Sequence, residues 1–366
     1  MLARIAAMTC CAAAALIAQS GCGSAADESA TGPLTVYVSA PLQGEDADSG
    51  RDIADGAALA LDEAAGMAGN AEVGLESLDA ADGPGALAGW SPAAVGRNAR
   101  AAAQDTSAIA YIGDLESGAT RVSLPITNQA VVPQVSPGAT ALDLVAPPDG
   151  GTEVPDEVQP SGERTFLRVI PDDRVQAEAA AAWARELGAQ RVEVFSDGSA
   201  FGDQMAEEFS EAAEGFAVSE DVAERGRALE AAADDPSAFV YAAESDPALL
   251  HDGITRIVAS AQDPEQLPAA GEDFSAAFVR EYDRAPGPYA AYGYEAMALV
   301  LDAIERAGDE AEDRNAVLDE LLATSDRDSV LGTYSITPIG NTTLDVIAGY
   351  RVRGGRPVFE QPLAAP

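Results

Sequence analysis

The chain of 366 residues has no lysine, one histidine and three cysteines, and only 5% of its residues are aromatic. Without lysine there is neither a P-loop lysine for a phosphate group nor a lysine that forms a Schiff base. The one histidine, His251, lies in a short polar stretch and is interpreted as a surface residue. The sequence also has no cluster of histidine and cysteine of the kind that binds zinc.

Other catalytic signatures are missing as well. The sequence contains no G-x-S-x-G nucleophile elbow. The acid pairs Asp172–Asp173 and Asp234–Asp235 are interpreted as solvated helix-start and loop groups rather than as catalytic carboxylates. We therefore expect a protein that is not an enzyme and that uses no cofactor or metal.

All three cysteines lie in the first 22 residues, and residues 1–21 have the features of a secretory signal. The apolar stretch from Ile5 to Ala18 is too short to span a bilayer. The small residues before Cys22 resemble the lipobox of bacterial lipoproteins, although Gln19 replaces the usual leucine. Cys22 is therefore the predicted lipidation site, followed by a polar tether over residues 22–33. A cleaved signal with a leftover cysteine is the alternative.

Negative charge dominates the composition. The chain has 61 acidic against 21 basic residues, which gives a formal net charge of −40. A field of this sign repels nucleic acid and anionic membrane surfaces. A small zwitterionic ligand remains possible, because its recognition is local. The expected partners are a small molecule and, through the lipid anchor only, the membrane.

Strand-like apolar runs alternate with helical patterns from Leu34 onwards. The first series ends near residue 145, and a segment rich in proline and glycine follows up to residue 163. A second series of the same kind begins at Thr165. Alternation of this kind predicts parallel sheets with helices on both faces. Two such series predict an α/β fold with two lobes of similar construction.

Two strand-to-helix turns, Asp114–Thr120 and Ser136–Thr140, combine glycine with hydroxyl side chains where a helix should begin. Unpaired backbone N–H groups and the positive end of the helix dipole attract small anions at such points. If the preceding strands are neighbours, Ser117 and Thr140 would converge on one carboxylate. Two ordinary loops with serine and threonine caps are the alternative.

Several segments, taken in chain order, carry a resemblance to a known family. They are Val36–Gly44 with Asp55–Asp62, then Ser136–Thr140, Phe195–Gly202 and Gly287–Tyr294. These segments resemble the type I periplasmic binding proteins of the branched-chain amino-acid (Leu/Ile/Val) class. The resemblance covers nearly the whole mature chain, and the order and spacing of the segments make it specific.

The resemblance implies two Rossmann-like lobes joined by a three-segment hinge, with the ligand in the cleft between them. Residues 34–168 and 262–328 would form the N-terminal lobe, and residues 169–261 and 329–361 the C-terminal lobe. The resemblance also places Ser49 where many relatives have an aromatic residue, which implies a more open or more polar wall. The implied ligand contacts are Ser117, Gly118, Gly138, Thr140, Phe201 and Tyr289.

The second lobe departs from the family pattern after Phe239–Ala243. Relatives have there a further helix and strand, a unit that supplies the acid for the ligand's ammonium group. Only residues 244–255 precede the next strand-like run, so the lobe is predicted to lack one helix–strand unit. Glu244 or Asp246 are the candidate replacements for the acid. A ligand without an ammonium group, or weakened binding, is the alternative.

The resemblance implies an extracytoplasmic lipoprotein, anchored to the cell membrane, that serves an ABC importer. It would bind a small amino acid or a related carboxylate by clamshell closure and deliver it to the permease and ATPase complex. Two alternatives stay open at this point. One is a ligand-sensing or regulatory module of the same fold, and the other is a scaffold lipoprotein that has lost ligand binding.

Overall fold

Two sheets, each with its own helices, organise the chain in the computed structural model. The structure describes residues 32–83, 89–147, 151–196, 200–219, 238–243, 255–259, 261–263, 266–267, 269–353 and 356–366. The predicted signal peptide and Cys22 lie outside these residues. Within them, the predicted α/β fold with two lobes of parallel-rich sheet is confirmed.

The first sheet has the strand order β2–β3–β1–β4–β5–β6 in the described part of the chain. All neighbouring pairs are parallel except β2 with β3. The chain first adds β3 on one side of β1 and then β4 on the other, so the order reverses between β1 and β4. Ligands in α/β folds bind at such a switch point, outside the carboxyl ends of the strands. The strands are β1 (Leu34–Ala40), β2 (Met67–Ala68), β3 (Ala71–Asp79), β4 (Ala108–Ile112), β5 (Gln134–Ser136) and β6 (Phe166–Arg168).

Helices cover this sheet, and two of them begin at a side chain that caps them. Ser91 accepts a hydrogen bond from the N–H of Ala94, and Pro92 occupies the first helical position after it. Asp313 caps a later helix in the same way. The helices are α1 (Ala47–Glu63), α2 (Pro92–Gln104), α3 (Ser117–Gln129), α6 (Ala269–Tyr282), α7 (Ala290–Ala307) and α8 (Arg314–Leu322).

The second sheet has the order β14–β13–β10–β9–β7–β8. Strands β7 to β10 pair in parallel, whereas β13 and β14 are antiparallel additions on the β10 side. Trp183 and a run of small alanines on α4 pack in the hydrophobic cluster of this half. The elements are α4 (Asp173–Glu186), β7 (Arg191–Ser196), α5 (Ala200–Ala212), β8 (Ala217–Ser219), β9 (Ala238–Ala243), β10 (Thr255–Ala259), β13 (Val346–Arg353) and β14 (Arg356–Ala364).

The chain passes between the two sheets after β6, after β10 and before β13. A short hairpin of β11 (Arg327–Ser329) and β12 (Gly332–Tyr334) precedes the last passage. Tyr334 and Leu344 are buried in the hydrophobic cluster of the first half. The packing of these residues therefore differs from the predicted lobe boundary at 328/329, which assigned them to the second lobe.

Element bounds differ from the predicted ones by a few residues. The strand expected at 131–135 is β5, and the helix expected from Gly118 already begins at Ser117. The helix at Arg314–Leu322 was not predicted. Residues 244–254, where a helix–strand unit is predicted to be missing, lie outside the described part of the chain. That prediction therefore stays a prediction.

Candidate ligand-binding site

The two turns singled out in the sequence lie side by side in the structure. The Ser117 Oγ accepts hydrogen bonds from the N–H groups of Thr140 and Ala141, both at 3.1 Å. The turns meet because β4 and β5, the strands that precede them, are parallel neighbours. Ser117 and Thr140 therefore lie at the same edge of the sheet, next to the switch point.

Close approach of the backbones explains the glycine in the second turn. A Cβ atom at Gly138 would lie 2.5 Å from the carbonyl oxygen of Leu115 in the first turn, which is too close for any side chain. The N–H of Gly138 points to Ser136 Oγ at 3.2 Å, and the N–H of Ala139 points to the same oxygen at 2.8 Å. The predicted backbone donor at Gly138 therefore already has an internal acceptor in this state.

A buried arginine fixes the orientation of the second turn. Arg168 is fully buried at the end of β6, and its guanidinium donates to the carbonyl oxygens of Ala139 at 3.0 Å and Ala141 at 2.9 Å. Its Nε donates to Asn341 Oδ1 at 2.9 Å. Because the Ala139 carbonyl points to Arg168, the N–H of the same peptide, that of Thr140, points the opposite way, to Ser117. Sequence reasoning missed Arg168, although a charged residue in the strand Phe166–Arg168 was a usable signal.

The first turn rests on a buried carboxylate. Asp114 is 1% exposed, and it accepts hydrogen bonds from Ser123 Oγ at 2.5 Å and from the Tyr111 hydroxyl at 3.3 Å. Ser136 Oγ donates to the Asp114 carbonyl at 2.9 Å and so ties the two turns together. Burial raises the pKa of Asp114 to about 6, against the lowering effect of these donors.

An aromatic ring covers the start of α3. A Cβ atom at Gly118 would lie 2.9 Å from the ring of Trp90, so only glycine leaves room for the indole. Trp90 is half-buried and packs with Val95 and Ala119. Sequence reasoning missed Trp90, because a tryptophan in a loop gives no sign of which helix it will contact.

Acidic groups and a tyrosine stand beside the two turns. Glu116 directly precedes Ser117. Desolvation of its carboxyl group and the charge of Asp46 raise the pKa of Glu116 to about 7. Burial raises the pKa of Tyr289, as do the charges of Glu116 and Asp46. Because Glu116 directly precedes Ser117, the structure thus brings Tyr289 to the region of the first turn.

The remaining predicted contacts fall outside what the structure describes. The side chain of Phe201, in the first turn of α5, is not among the described side chains. Glu244, Asp246 and His251 lie in the undescribed residues 244–254. Their predicted roles stay predictions.

The described residues contain neither a metal-binding cluster nor a membrane-spanning helix. No group of histidine, cysteine, aspartate and glutamate among them has the arrangement needed to hold a metal ion. No described helix combines the length and the apolar character needed to cross a membrane. A surface cavity of about 260 Å³ between α1 and α7 is lined by none of the predicted ligand contacts.

Comparison with known proteins supports the same architecture. Residues 248–356 match the family model for periplasmic binding proteins. The leucine-binding protein LivK of Thermotoga maritima superposes with a TM-score of 0.70 at 21% identity, covering 90% of this chain and 99% of that one. LivJ of Streptococcus pneumoniae, solved with isoleucine, gives 0.71 at 18% identity, with coverages of 92% and 100%.

A third solved structure binds a different kind of acid. A solute-binding protein of an ABC transporter from R. palustris, in complex with benzoate, has a TM-score of 0.69 at 18% identity and coverages of 92% and 97%. A comparison with curated protein sequences finds no significant match.

Fold and comparisons together define the class: the chain has the fold of the type I periplasmic binding proteins. The resemblance to the branched-chain amino-acid class of ABC-transporter substrate-binding proteins, predicted from the sequence, is confirmed at the level of the fold. The solved proteins of this fold named above are substrate-binding proteins.

Proposed function

We propose that this protein is the extracytoplasmic substrate-binding component of an ABC importer and that it binds a small amino acid or a related carboxylate between its two lobes. The observation that carries the proposal is the junction of the two turns, where Ser117 Oγ meets the N–H groups of Thr140 and Ala141 at 3.1 Å. Donors directed at one point beside a helix N-terminus are the chemistry that a carboxylate needs.

Binding would exchange one acceptor for another. Ser117 Oγ accepts hydrogen bonds from the two N–H groups. A ligand carboxylate would take over these N–H groups. The Ser117 hydroxyl would turn to donate to it, and the Thr140 hydroxyl would leave Asp173 to do the same. Each charge-assisted hydrogen bond contributes about 1.5–3 kcal/mol, which offsets the cost of desolvating the carboxylate.

The transport role is supported by the fold and by the N-terminal sequence. The similar solved proteins are ABC-transporter components in this size range, and the chain spans almost their whole length. Acylation of Cys22 would hold the protein at the outer face of the cell membrane, where the permease and ATPase complex receives ligand. The location and the partners are part of the proposal.

The experiment is calorimetric titration of the wild type and of the double variant Ser117→Ala with Thr140→Ala, after a thermal-shift screen of amino acids and carboxylates has selected a ligand. We expect affinity to fall at least about tenfold, because two charge-assisted hydrogen bonds are lost. The matched control is Ser161→Ala with Thr152→Ala, which removes the same groups from exposed positions. Unchanged affinity in a folded double variant would contradict the assignment, and the control should bind as the wild type does.

A further inference from the structure

Asp173, the first residue of α4, does not have the environment expected of a helix-start acid. The sequence-based interpretation placed Asp172 and Asp173 together as solvated helix-start groups. Asp172 fits it, since its Oδ1 accepts from the N–H of Val175 at 3.2 Å. Asp173 contradicts it, because its side chain is only 1% exposed. Helix capping therefore does not explain why a carboxylate stands at position 173.

The hydrogen bonds of Asp173 are incomplete. Its Oδ2 accepts from Gln204 Nε2 of α5 at 3.2 Å. Burial raises the pKa of Asp173 to about 6, against the lowering effect of the Thr140 hydroxyl and of the Arg168 charge. Its Oδ1 is buried and receives no hydrogen bond in the described part of the chain. Buried polar atoms nearly always have a partner, because an unpaired one costs free energy, and a charged one costs most. The carboxylate therefore lacks a donor that the described part of the chain does not supply.

No cation of the described chain fills this position. The guanidinium of Arg168 acts on Asp173 through its charge, but it donates its hydrogen bonds to Ala139, Ala141 and Asn341. Asp173 makes no ion pair with any described residue. The missing group is therefore a donor, and a positively charged donor would gain most from this site.

The position of Asp173 relates it to the carboxylate site. Its backbone N–H donates to the carbonyl oxygen of Thr140 at 3.1 Å. Thr140 is the residue whose N–H and hydroxyl are proposed to bind the ligand's carboxylate. In an α-amino acid the carboxylate and the ammonium group are attached to one carbon, so the protein groups that bind them must be neighbours. Thr140 and Asp173 are such neighbours.

We propose that Asp173 binds the ammonium group of the ligand through its unpartnered Oδ1, and that the site therefore selects α-amino acids over carboxylates without an amino group. This inference rests on the proposed function. It assigns the ammonium contact to the start of α4, rather than to Glu244 or Asp246.

The test uses pairs of compounds that differ only in the amino group. Common L-amino acids, such as leucine, isoleucine and phenylalanine, are each titrated calorimetrically alongside the acid that lacks the amino group. Benzoate is titrated as well, as a carboxylate that has no α-amino group. The proteins are the wild type, Asp173→Asn and Asp172→Asn. The last variant is the matched control, since it makes the same change of charge one residue away and asparagine caps a helix as well as aspartate.

We expect the wild type to bind an amino acid at least about 30-fold more tightly than its deamino partner, as expected for a desolvated charged hydrogen bond. Asp173→Asn should reduce this preference to about threefold or less, mainly by weakening the binding of the amino acid. Asp172→Asn should keep it. The readout is a ratio between two ligands, so a general loss of stability does not produce it.

Three outcomes would overturn the inference. Equal binding of both members of each pair by the wild type would leave the proposed function standing and remove the role of Asp173. A preference that persists in Asp173→Asn would assign the ammonium contact to another residue. If no amino acid and no carboxylate binds the wild type, the proposed function fails, and the inference fails with it. If Asp173→Asn does not fold, the ratio measured for the wild type still decides the ligand class. Gln204→Ala, which removes the donor to Asp173 Oδ2, then takes the place of Asp173→Asn.

Discussion

The two sides of the candidate site differ in how far their polar groups are paired. On the side of the first sheet, Ser117 and Ser136 bond to backbone N–H groups, and Arg168 bonds to backbone carbonyls. On the side of α4, Asp173 keeps one carboxylate oxygen without a donor. The first side is thus fixed by the protein alone, whereas the second side is incomplete without a further group.

This difference has a physical consequence for binding. A fixed set of donors loses little conformational entropy when a ligand arrives, so it suits the first encounter with a carboxylate. An incomplete charged group gains its partner only when a cation comes within contact distance. If the two lobes close over the ligand, the second side supplies a free-energy difference between the open and closed states. Removing either the groups that fix the first side or the charge on the second side tests whether the two sides differ in this way.

Substitution of Arg168 is expected to have the largest effect on the stability of the protein. Substitution by methionine keeps much of the side-chain volume but leaves two buried carbonyls and Asn341 without a donor, and it removes the nearest positive charge from Asp172 and Asp173. We expect a loss of about 3–5 kcal/mol in the free energy of unfolding, measured by urea denaturation. A loss below about 1 kcal/mol would show that the second turn keeps its orientation without the arginine.

A matched arginine outside the site separates this effect from a general change of charge. Arg97 lies on the surface and pairs with the exposed Asp82. Arg97→Met should therefore leave the denaturation midpoint almost unchanged.

The next largest effect is the pH dependence of stability that the buried Asp114 causes. Its pKa is raised from 3.8 to about 6 in the folded protein, so the folded state binds the proton more tightly than the unfolded state does. The cost of the buried charge is therefore present above pH 6 and is relieved as the pH falls towards 4. Asp114→Asn removes this cost, so the variant's stability relative to the wild type should rise by about 3 kcal/mol between pH 4 and pH 7. A constant difference across this range, in denaturation curves at several pH values, would contradict the assignment.

The sequence carries enough information to predict the fold and the meeting of the two turns. Alternating strand and helix patterns require a parallel sheet, and in a parallel sheet the ends of neighbouring strands lie together. Ser117 and Thr140 lie close together because β4 pairs with β5, the condition on which the prediction depended. Local patterns decide such features, and local patterns are visible in a sequence.

The environment of a single charged residue is harder to predict. Asp172 and Asp173 are identical in type and adjacent in sequence, yet one caps a helix and the other is buried beside Thr140. Which of them is buried depends on where α5 packs, through Gln204, and this is a long-range property. Arg168 is similar, since its three acceptors come from a turn and from Asn341, far away along the chain. The parts of the site that sequence reasoning missed are those that depend on tertiary packing.

The smallest effect on ligand affinity is expected from substitution of Trp90, which lies at the edge of the fixed side. Its ring lies over Gly118, so a ligand held by Ser117 would reach the indole only with its apolar part. Trp90→Leu should weaken binding by about three- to fivefold, as expected for the loss of part of an apolar contact. The only other tryptophan, Trp183, is buried in the second half. A Trp183→Phe background therefore isolates the fluorescence of Trp90, and saturating ligand should change its emission. If neither the emission nor the affinity responds, the ligand does not extend to the start of α3. The fixed side would then consist of the two turns alone.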